Sequence, residues 1–254
     1  MRNKQSNRLL DKIESQSIQL QSIADVKAGL KAYEVGAGIP IQTKEMKDGR
    51  VYHSKNKLTD EYFKYLDGEN VGRYYLTWNG EYLRWGKYLS RRRTFDLFSS
   101  PRILVRQIPS KPPYCINACL AEEVMLNDLN SMNIININIE PELVLCILNS
   151  KLISYWFIYK FDKLQRGIFP QFKINEMETF PIPKNFGLLR NELIVKVRQI
   201  LTAKKGDRHA NTSKLEKECD QLVYKLYQLT YDEVKIIDPE FELTEQEYRA
   251  IKIE

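Results

Sequence analysis

The sequence has few residues suited to metal binding or nucleophilic catalysis. Its 254 residues include two histidines and four cysteines, and no two cysteines form a C-x-x-C pair. Zinc sites and Cys–His dyads need such clusters, so we expect neither, and we expect reduced cysteines and a cytoplasmic location. Long hydrophobic runs are also lacking. The most apolar stretch, residues 143–161, is interrupted by Asn149, Ser150 and Lys151, which predicts a buried helix and no membrane span.

Positive charge is concentrated in one part of the chain. Residues 71–120 contain nine Lys or Arg and two acidic residues, a net charge of +7, whereas the whole chain carries +6. The remainder is therefore close to neutral. The aromatic residues Tyr82, Trp85 and Tyr88 lie among the basic ones. This composition is typical of a surface that binds a polyanion, although a solvated basic loop would have the same composition.

Two short motifs resemble catalytic sequences but lack a necessary part. Lys111-Pro-Pro-Tyr has the form of the Asn-Pro-Pro-Tyr loop of amino-methyltransferases, but lysine cannot accept the hydrogen bonds of a target amine. We therefore predict a turn between two strands there. Glu45-Met-Lys47 and Glu233-Val-Lys235 match half of a metal-dependent nuclease motif, without an evident second carboxylate. We expect no catalytic residue, metal or cofactor within this chain.

Hydrophobic periodicity predicts the order of the main elements. Strands are expected at residues 71–78, 103–108 and 114–120, with an extended segment at 127–139 and helices at 59–66, 140–160, 188–204 and 213–229. In the strand 103–108, Ile103 and Val105 share one face, and Leu104 lies on the other between Arg102 and Arg106.

The basic stretch itself is predicted to break at its three consecutive arginines. Residues 85–89 fit one helical turn, but a continued helix would turn Arg92 onto the apolar face of Trp85 and Leu89. A second turn at 94–98 resolves this conflict. Arg91, Arg92 and Arg93 would then lie on an exposed connection, where guanidinium groups can reach phosphates.

A longer pattern extends in order from Ile23 to Pro183. Its centre is Tyr82-Leu-x-x-Gly-Lys-Tyr-Leu, followed by Arg93, Leu97-Phe98 and Pro101-Arg-Ile-Leu-Val-Arg-Gln-Ile. Flanking parts are Lys27-Ala-Gly-Leu-Lys-Ala-Tyr-Glu-Val-Gly-Ala-Gly, Gln42-Thr43, Leu66-Asp-Gly-Glu-Asn-Val-Gly, Ile147-Leu-Asn-Ser-Lys-Leu, Phe169-Pro-Gln-Phe-Lys and Phe180-Pro-Ile-Pro. This pattern resembles the TaqI-like C-terminal specificity domain, the target recognition domain of type II restriction-modification enzymes and adenine-specific DNA methyltransferases.

The resemblance implies an α+β fold with an irregular, mostly antiparallel β body, inserted helices and a C-terminal α-helical hairpin. We place the recognition domain at residues 1–184 and the hairpin with its tail at 185–254. The implied function is sequence-specific recognition of double-stranded DNA, without catalysis by the chain itself. A methyltransferase domain, and a nuclease domain in some enzymes, would act on the DNA, and S-adenosylmethionine would bind only to that missing methyltransferase domain.

Candidate DNA-binding residues are chosen by side-chain chemistry and expected exposure. They are the basic and carboxamide side chains Arg50, Arg84, Lys87, Arg91, Arg92, Arg93, Arg106, Gln107, Lys163, Gln165 and Arg166. Two alternatives remain open. One is the specificity subunit of a type I restriction system, which has two recognition domains per chain. The other is a protein-interaction module that docks through the C-terminal helices.

Overall fold

In the part of the chain that the structure describes, twelve short strands and ten α-helices alternate irregularly. The structure is a computed structural model that describes residues 4–162 and 171–252. Within these ranges the strands are β1 Ser17–Gln19, β2 Asp25–Ala28, β3 His53–Ser54, β4 Tyr62–Leu66, β5 Val71–Gly72, β6 Tyr75–Leu76, β7 Tyr82–Arg84, β8 Arg102–Arg106, β9 Ala118–Ala121, β10 Leu126–Asn127, β11 Ser131–Ile135 and β12 Pro181–Pro183. The helices are α1 Lys4–Ser15, α2 Lys44–Asp48, α3 Asp96–Ser99, α4 Pro141–Leu148, α5 Lys151–Phe161, α6 Ile174–Met177, α7 Leu189–Gly206, α8 Ser213–Leu226, α9 Tyr231–Ile237 and α10 Glu245–Ala250.

The central sheet forms where β8 pairs with β11 on one side and β9 on the other, and β2 pairs with the far side of β11. Its order is β2-β11-β8-β9, and all of its pairs are antiparallel. Ile103 and Val105 pack into the main apolar core, whereas Leu104 packs into a separate cluster on the opposite face. The predicted strand and its face pattern are therefore confirmed. Its predicted partner strand is also confirmed, but it begins later than predicted, at Ala118. Residues 111–113 form the predicted turn, and residues 114–117 do not join the sheet.

A second sheet, of order β10-β4-β7-β3, carries the basic stretch. Its β4 strand corrects our prediction of a helix at 59–66. Tyr62 and Tyr65 are buried there, and β4 pairs with β7 on one side and with β10 on the other. Aromatic residues favour such a half-buried sheet position, and pairing on both sides outweighs the weak helical periodicity. The pair β4–β10 is parallel, whereas the other strand pairs in the described ranges are antiparallel.

The predicted strand 71–78 is a tight hairpin of β5 and β6. Arg73 and Tyr74 form its turn, and Tyr74 has a positive φ of 69°. The Arg73 guanidinium donates from Nε to the Asn149 carbonyl at 2.9 Å and pairs with the Glu216 carboxylate. The chain reverses here because these distant partners hold the turn, and sequence spacing does not reveal them.

The predicted helix 140–160 is interrupted in its middle. Helices α4 and α5 meet at an angle of 61°. Asn149 lies between them, and its side chain pairs with the backbone N–H and C=O of Ala118, both at 3.0 Å. The Ser150 hydroxyl accepts from the Ile153 N–H and so caps α5. No single helix in residues 4–162 and 171–252 is long and apolar enough to cross a membrane. Within these ranges only α4 and α5 taken together reach that length and apolar composition, and this pair is bent and mostly buried.

The C-terminal helices confirm the predicted hairpin. Helices α7 and α8 pack against each other, and the Lys196 ammonium lies 2.6 Å from the Glu218 carboxylate. The main apolar core contains side chains from α1, the central sheet, α4, α5 and all four C-terminal helices. This core continues across position 184, and the domain boundary proposed there stays a prediction. The observed mixture of antiparallel strands, inserted helices and a helical hairpin confirms the α+β class.

Candidate nucleic-acid interface

Residues 85–90 form a turn where we predicted one turn of helix. The Leu89 N–H donates to the Gly86 carbonyl at 3.1 Å, and Leu89 is buried. A Cβ added at Gly86 would lie 2.6 Å from the Tyr88 ring, so this close approach requires glycine. The Arg84 guanidinium lies 4.8 Å from the centre of the same ring. This basic turn, residues 85–90, is therefore fixed by ring packing, and Lys87 is exposed on it.

Arg91, Arg92 and Arg93 are all exposed, as expected for a connection between two turns. Arg91 exchanges two backbone hydrogen bonds with Lys31, at 2.9 and 3.0 Å. The Arg92 guanidinium lies 5.5 Å from the Trp85 ring, whose Nε1 donates to the Arg92 carbonyl at 3.2 Å. Arg93 has a φ of 61°, and its Nε donates to the Gly29 carbonyl at 3.1 Å. The arginine segment 91–93 is therefore held on a defined backbone.

A groove of about 1230 Å³ lies beside the arginine segment. One part of its lining comes from Trp85, Arg92 and Arg93, and another from Lys27 and the strand end at 135–137. Ile174 also lines it. The groove thus joins the basic turn to the edge of the central sheet and to the segment that follows Phe172.

Arg106 and Gln107 lie where β8 ends, and both are half-buried. The Gln107 carbonyl accepts from the Phe172 N–H at 2.9 Å, and the Gln107 Nε2 donates to the Phe172 carbonyl at 3.1 Å. The strand tip therefore adjoins Phe172. This residue lies near the end of the second basic segment, residues 162–173 of the sequence, which also contains aromatic residues. Lys163, Gln165 and Arg166 lie outside the described residues, so their predicted roles stay predictions.

Two of the candidate arginines are neutralised by nearby carboxylates. The Arg50 guanidinium lies 2.6 Å from Glu81, and the Arg84 guanidinium lies 2.7 Å from Glu61. Two further arginines of the 71–120 window are internal, because Arg102 is fully buried and Arg73 is paired with Glu216. The charge count of the sequence thus overstates the basicity of the surface, and in the arginine segment Arg91 also lies 3.8 Å from the Glu34 carboxylate.

An aromatic cluster that the sequence did not reveal supports this surface. The Tyr33 and Tyr52 rings are stacked with centroids 5.5 Å apart, and the Tyr52 and Tyr88 centroids are 4.6 Å apart. The Tyr33 hydroxyl lies 2.9 Å from Nδ1 of His53. Burial, with Arg50 as a weaker influence, lowers the pKa of His53 to about 3, so this histidine is neutral at ordinary pH. His53 lies on β3, where it pairs with Leu83 of β7.

Groups that could support metal or thiol chemistry are not assembled in the part of the chain that the structure describes. No cluster of three or more His, Cys, Asp or Glu side chains in residues 4–162 and 171–252 could hold a metal ion. All four cysteines are free and buried, and burial raises the pKa of the Cys115 and Cys119 thiols to about 12. These thiols are therefore protonated at neutral pH.

Two solved structures share this fold. The type IIG restriction endonuclease BpuSI aligns with 89% of this chain and 33% of its own, with a TM-score of 0.52 and 14% identity. The type IIL restriction-modification enzyme MmeI, solved in complex with DNA, aligns with 92% of this chain and 37% of its own, with a TM-score of 0.50 and 10% identity. This chain thus spans about a third of the length of each enzyme.

A comparison of the sequence with models of known families gives a match to part of the chain. No curated protein matches the chain. The sequence model of the TaqI-like C-terminal specificity domain matches residues 63–182, a range that includes the basic turn, the arginine segment, β8 and the interrupted helix pair. The expected resemblance is confirmed. Residues 63–182, just under half of this chain, therefore match the TaqI-like C-terminal specificity domain.

Proposed function

We propose that this chain binds duplex DNA and recognises its sequence for a restriction-modification enzyme or a DNA adenine methyltransferase. The observation that carries the proposal is the arginine segment 91–93, which is exposed on a fixed backbone beside a groove of about 1230 Å³ within a specificity domain. Guanidinium groups displayed in this way can neutralise phosphates and release condensed counterions.

We assign phosphate contacts to Arg50, Lys87 and the arginine segment, and base contacts to Arg106, Gln107, Gln165 and Arg166. Arg84 supports the same surface through its contact with Tyr88. The carboxamide of Gln107 already donates one hydrogen bond to Phe172, so its remaining donor and its carbonyl oxygen are the groups left for a base edge. Lys163 would add a phosphate contact from the second basic segment.

In this proposal the chemistry belongs to other domains. The chain fixes the register of the DNA, while a methyltransferase domain with its S-adenosylmethionine, and in some enzymes a nuclease domain, acts on the bound site. The buried thiols are consistent with a cytoplasmic location. A type I specificity subunit remains the alternative assembly.

Docking of another protein domain is a second candidate function. Leu188, at the start of α7, is 69% exposed, and Val195 seven residues later is 53% exposed. Residues seven apart share one face of a helix, so α7 presents an apolar strip that a catalytic domain could cover.

A salt titration of DNA binding tests the main proposal. We expect the logarithm of the association constant to fall with the logarithm of salt concentration with a slope of about −4 to −6, because each phosphate contact contributes about 0.9. Changing Arg91, Arg92 and Arg93 together to Ala should flatten the slope by about two units or more. Circular dichroism of the triple variant verifies that it folds.

A matched control removes the same charge from the C-terminal hairpin. Lys205, Arg208 and Lys214 are exposed there, and changing all three to Ala should leave the slope unchanged. Equal flattening by both triple variants would contradict a localised site. If the unaltered chain shows no salt-dependent binding, DNA recognition is wrong and docking through the hairpin becomes the better explanation.

A further inference from the structure

The loop 34–42 presents three large apolar side chains to solvent. Val35 is 57% exposed, Ile39 is 64% exposed and Ile41 is 69% exposed. Eight large apolar residues are exposed in the ranges 4–162 and 171–252, and three of them lie within this one short loop. Scattered exposed apolar residues are ordinary, but a cluster at one loop tip indicates a contact surface.

The loop is held rigidly from within. Its backbone forms three hydrogen bonds: from Gly36 to the Gln42 carbonyl at 3.0 Å, from Ala37 to the Glu34 carbonyl at 3.0 Å, and from Gln42 to the Ala37 carbonyl at 2.8 Å. The Gln42 side chain is buried, and its oxygen accepts from the Glu34 N–H at 2.7 Å. An apolar tip on such a frame loses little conformational entropy when it binds a partner.

The same loop is fastened to the basic turn. The Gln42 Nε2 donates to the Ala32 carbonyl at 2.8 Å and to the Tyr88 carbonyl at 2.7 Å. Gly38 has a φ of +85°, and a Cβ there would lie 2.5 Å from the Tyr88 carbonyl oxygen, so loop and turn are in direct backbone contact. The Glu34 carboxylate lies 3.8 Å from Nε of Arg91. A double helix that lies on the arginine segment would therefore also meet the tip of this loop.

We infer that residues Val35, Ile39 and Ile41 form an apolar contact with base edges of the DNA bound by the arginine segment. This inference rests on the proposed DNA binding and adds an apolar contribution to the binding free energy, which charged groups do not supply. Base edges offer apolar surface, above all the thymine methyl group, and a preformed loop can enter a groove to reach it. Phosphate contacts fix the position of the duplex, and the loop contributes to the choice of sequence.

The test compares an Ile39→Ser/Ile41→Ser variant with the unaltered chain over a range of salt concentrations. A duplex obtained by selection from a random pool is the specific probe, and an unselected duplex of the same length is the non-specific probe. Non-specific binding is electrostatic, whereas burial of two isoleucine side chains that are mostly exposed in the free chain adds apolar free energy. We expect about 10- to 100-fold weaker binding of the selected duplex at every salt concentration, with an unchanged slope and unchanged binding of the unselected duplex.

The matched control is a Leu188→Ser/Val195→Ser variant, which removes two exposed apolar side chains from the first half of α7 and the residue before it. This variant should bind both duplexes as the unaltered chain does. If the loop variant binds the selected duplex as well as the unaltered chain does, the inference is overturned while the proposed function stands. If the arginine triple variant also leaves the salt slope unchanged, the proposed function fails as well, and the loop tip is then a protein-docking surface.

Discussion

Arg102 offers a quantitative test of the framework beneath the basic surface. Its side chain is fully buried, and its guanidinium donates to the Asn133 side chain at 2.8 Å, the Phe98 carbonyl at 3.0 Å and the Met125 carbonyl at 2.5 Å. Burial lowers its pKa to about 10, so it stays charged at neutral pH. These bonds join β8 to β11, to the end of α3 and to the residue before β10, so one side chain connects the two larger sheets.

The Arg102→Ala change leaves these three buried or partly buried acceptors without their donor and opens a cavity. Each unsatisfied acceptor costs about 1–3 kcal/mol, and removal of a buried charge returns part of that cost. We therefore expect the free energy of unfolding to fall by about 3–5 kcal/mol. Arg102→Lys should give a smaller loss, because the ammonium keeps the charge but cannot reproduce the geometry of the guanidinium.

Urea denaturation followed by tryptophan fluorescence measures this loss. Arg106→Ala is the control, because Arg106 is half-buried and lies four residues further along the same strand. It should lower the free energy of unfolding by less than about 1 kcal/mol. If Arg102→Ala costs no more than Arg106→Ala, the hydrogen-bond network does not hold the two sheets together, and the reasoning from burial is wrong.

Two further predictions concern buried ionisable groups. The pKa of His53 is about 3 in the folded chain and near 6.5 in the unfolded chain, so the unfolded chain takes up the proton first as the pH is lowered. The free energy of unfolding should therefore fall by at most about 1.4 kcal/mol for each unit by which the pH is lowered from 6.5 to 3. His53→Asn removes this dependence on pH, so the urea midpoints of the variant and of the unaltered chain should converge as the pH is lowered. A difference that stays constant with pH would contradict the low pKa of His53 in the folded chain. Glu216→Gln should cost about 2–4 kcal/mol because it removes the carboxylate that pairs with the half-buried Arg73 guanidinium. Lys217→Gln, at an exposed ion pair, should cost much less, and equal losses of stability for the two changes would refute this distinction between buried and exposed ion pairs.

Several features of the candidate site were predictable from local sequence. The clash of Arg92 with the Trp85–Leu89 face predicted an exposed arginine connection, and the structure places all three arginines at the surface. The alternation in 103–108 predicted which aliphatic residues of β8 face the main core. These predictions succeeded because they depend on spacing along one segment, and side-chain direction follows from the helical or strand period.

Other features depended on partners far away in the chain. The helix predicted at 59–66 is a strand because two other strands pair with it, and the helix predicted at 140–160 breaks because Asn149 pairs with the backbone of Ala118. The position of His53 in an aromatic cluster has the same origin. Local propensities differ by less than the free energy of such long-range pairing, so they do not predict these outcomes.

The sequence by itself indicated the resemblance to a specificity-domain family, the class of fold and the concentration of positive charge between residues 71 and 120. The tertiary structure alone decided which of those charges reach solvent: Arg102 is buried, Arg73 is paired with Glu216, and the segment 91–93 is exposed. It also decided that the apolar loop 34–42 lies against the basic turn, through Gln42 and Tyr88. Charge and apolarity are properties of single residues, whereas burial and proximity depend on contacts between residues that are distant in the sequence.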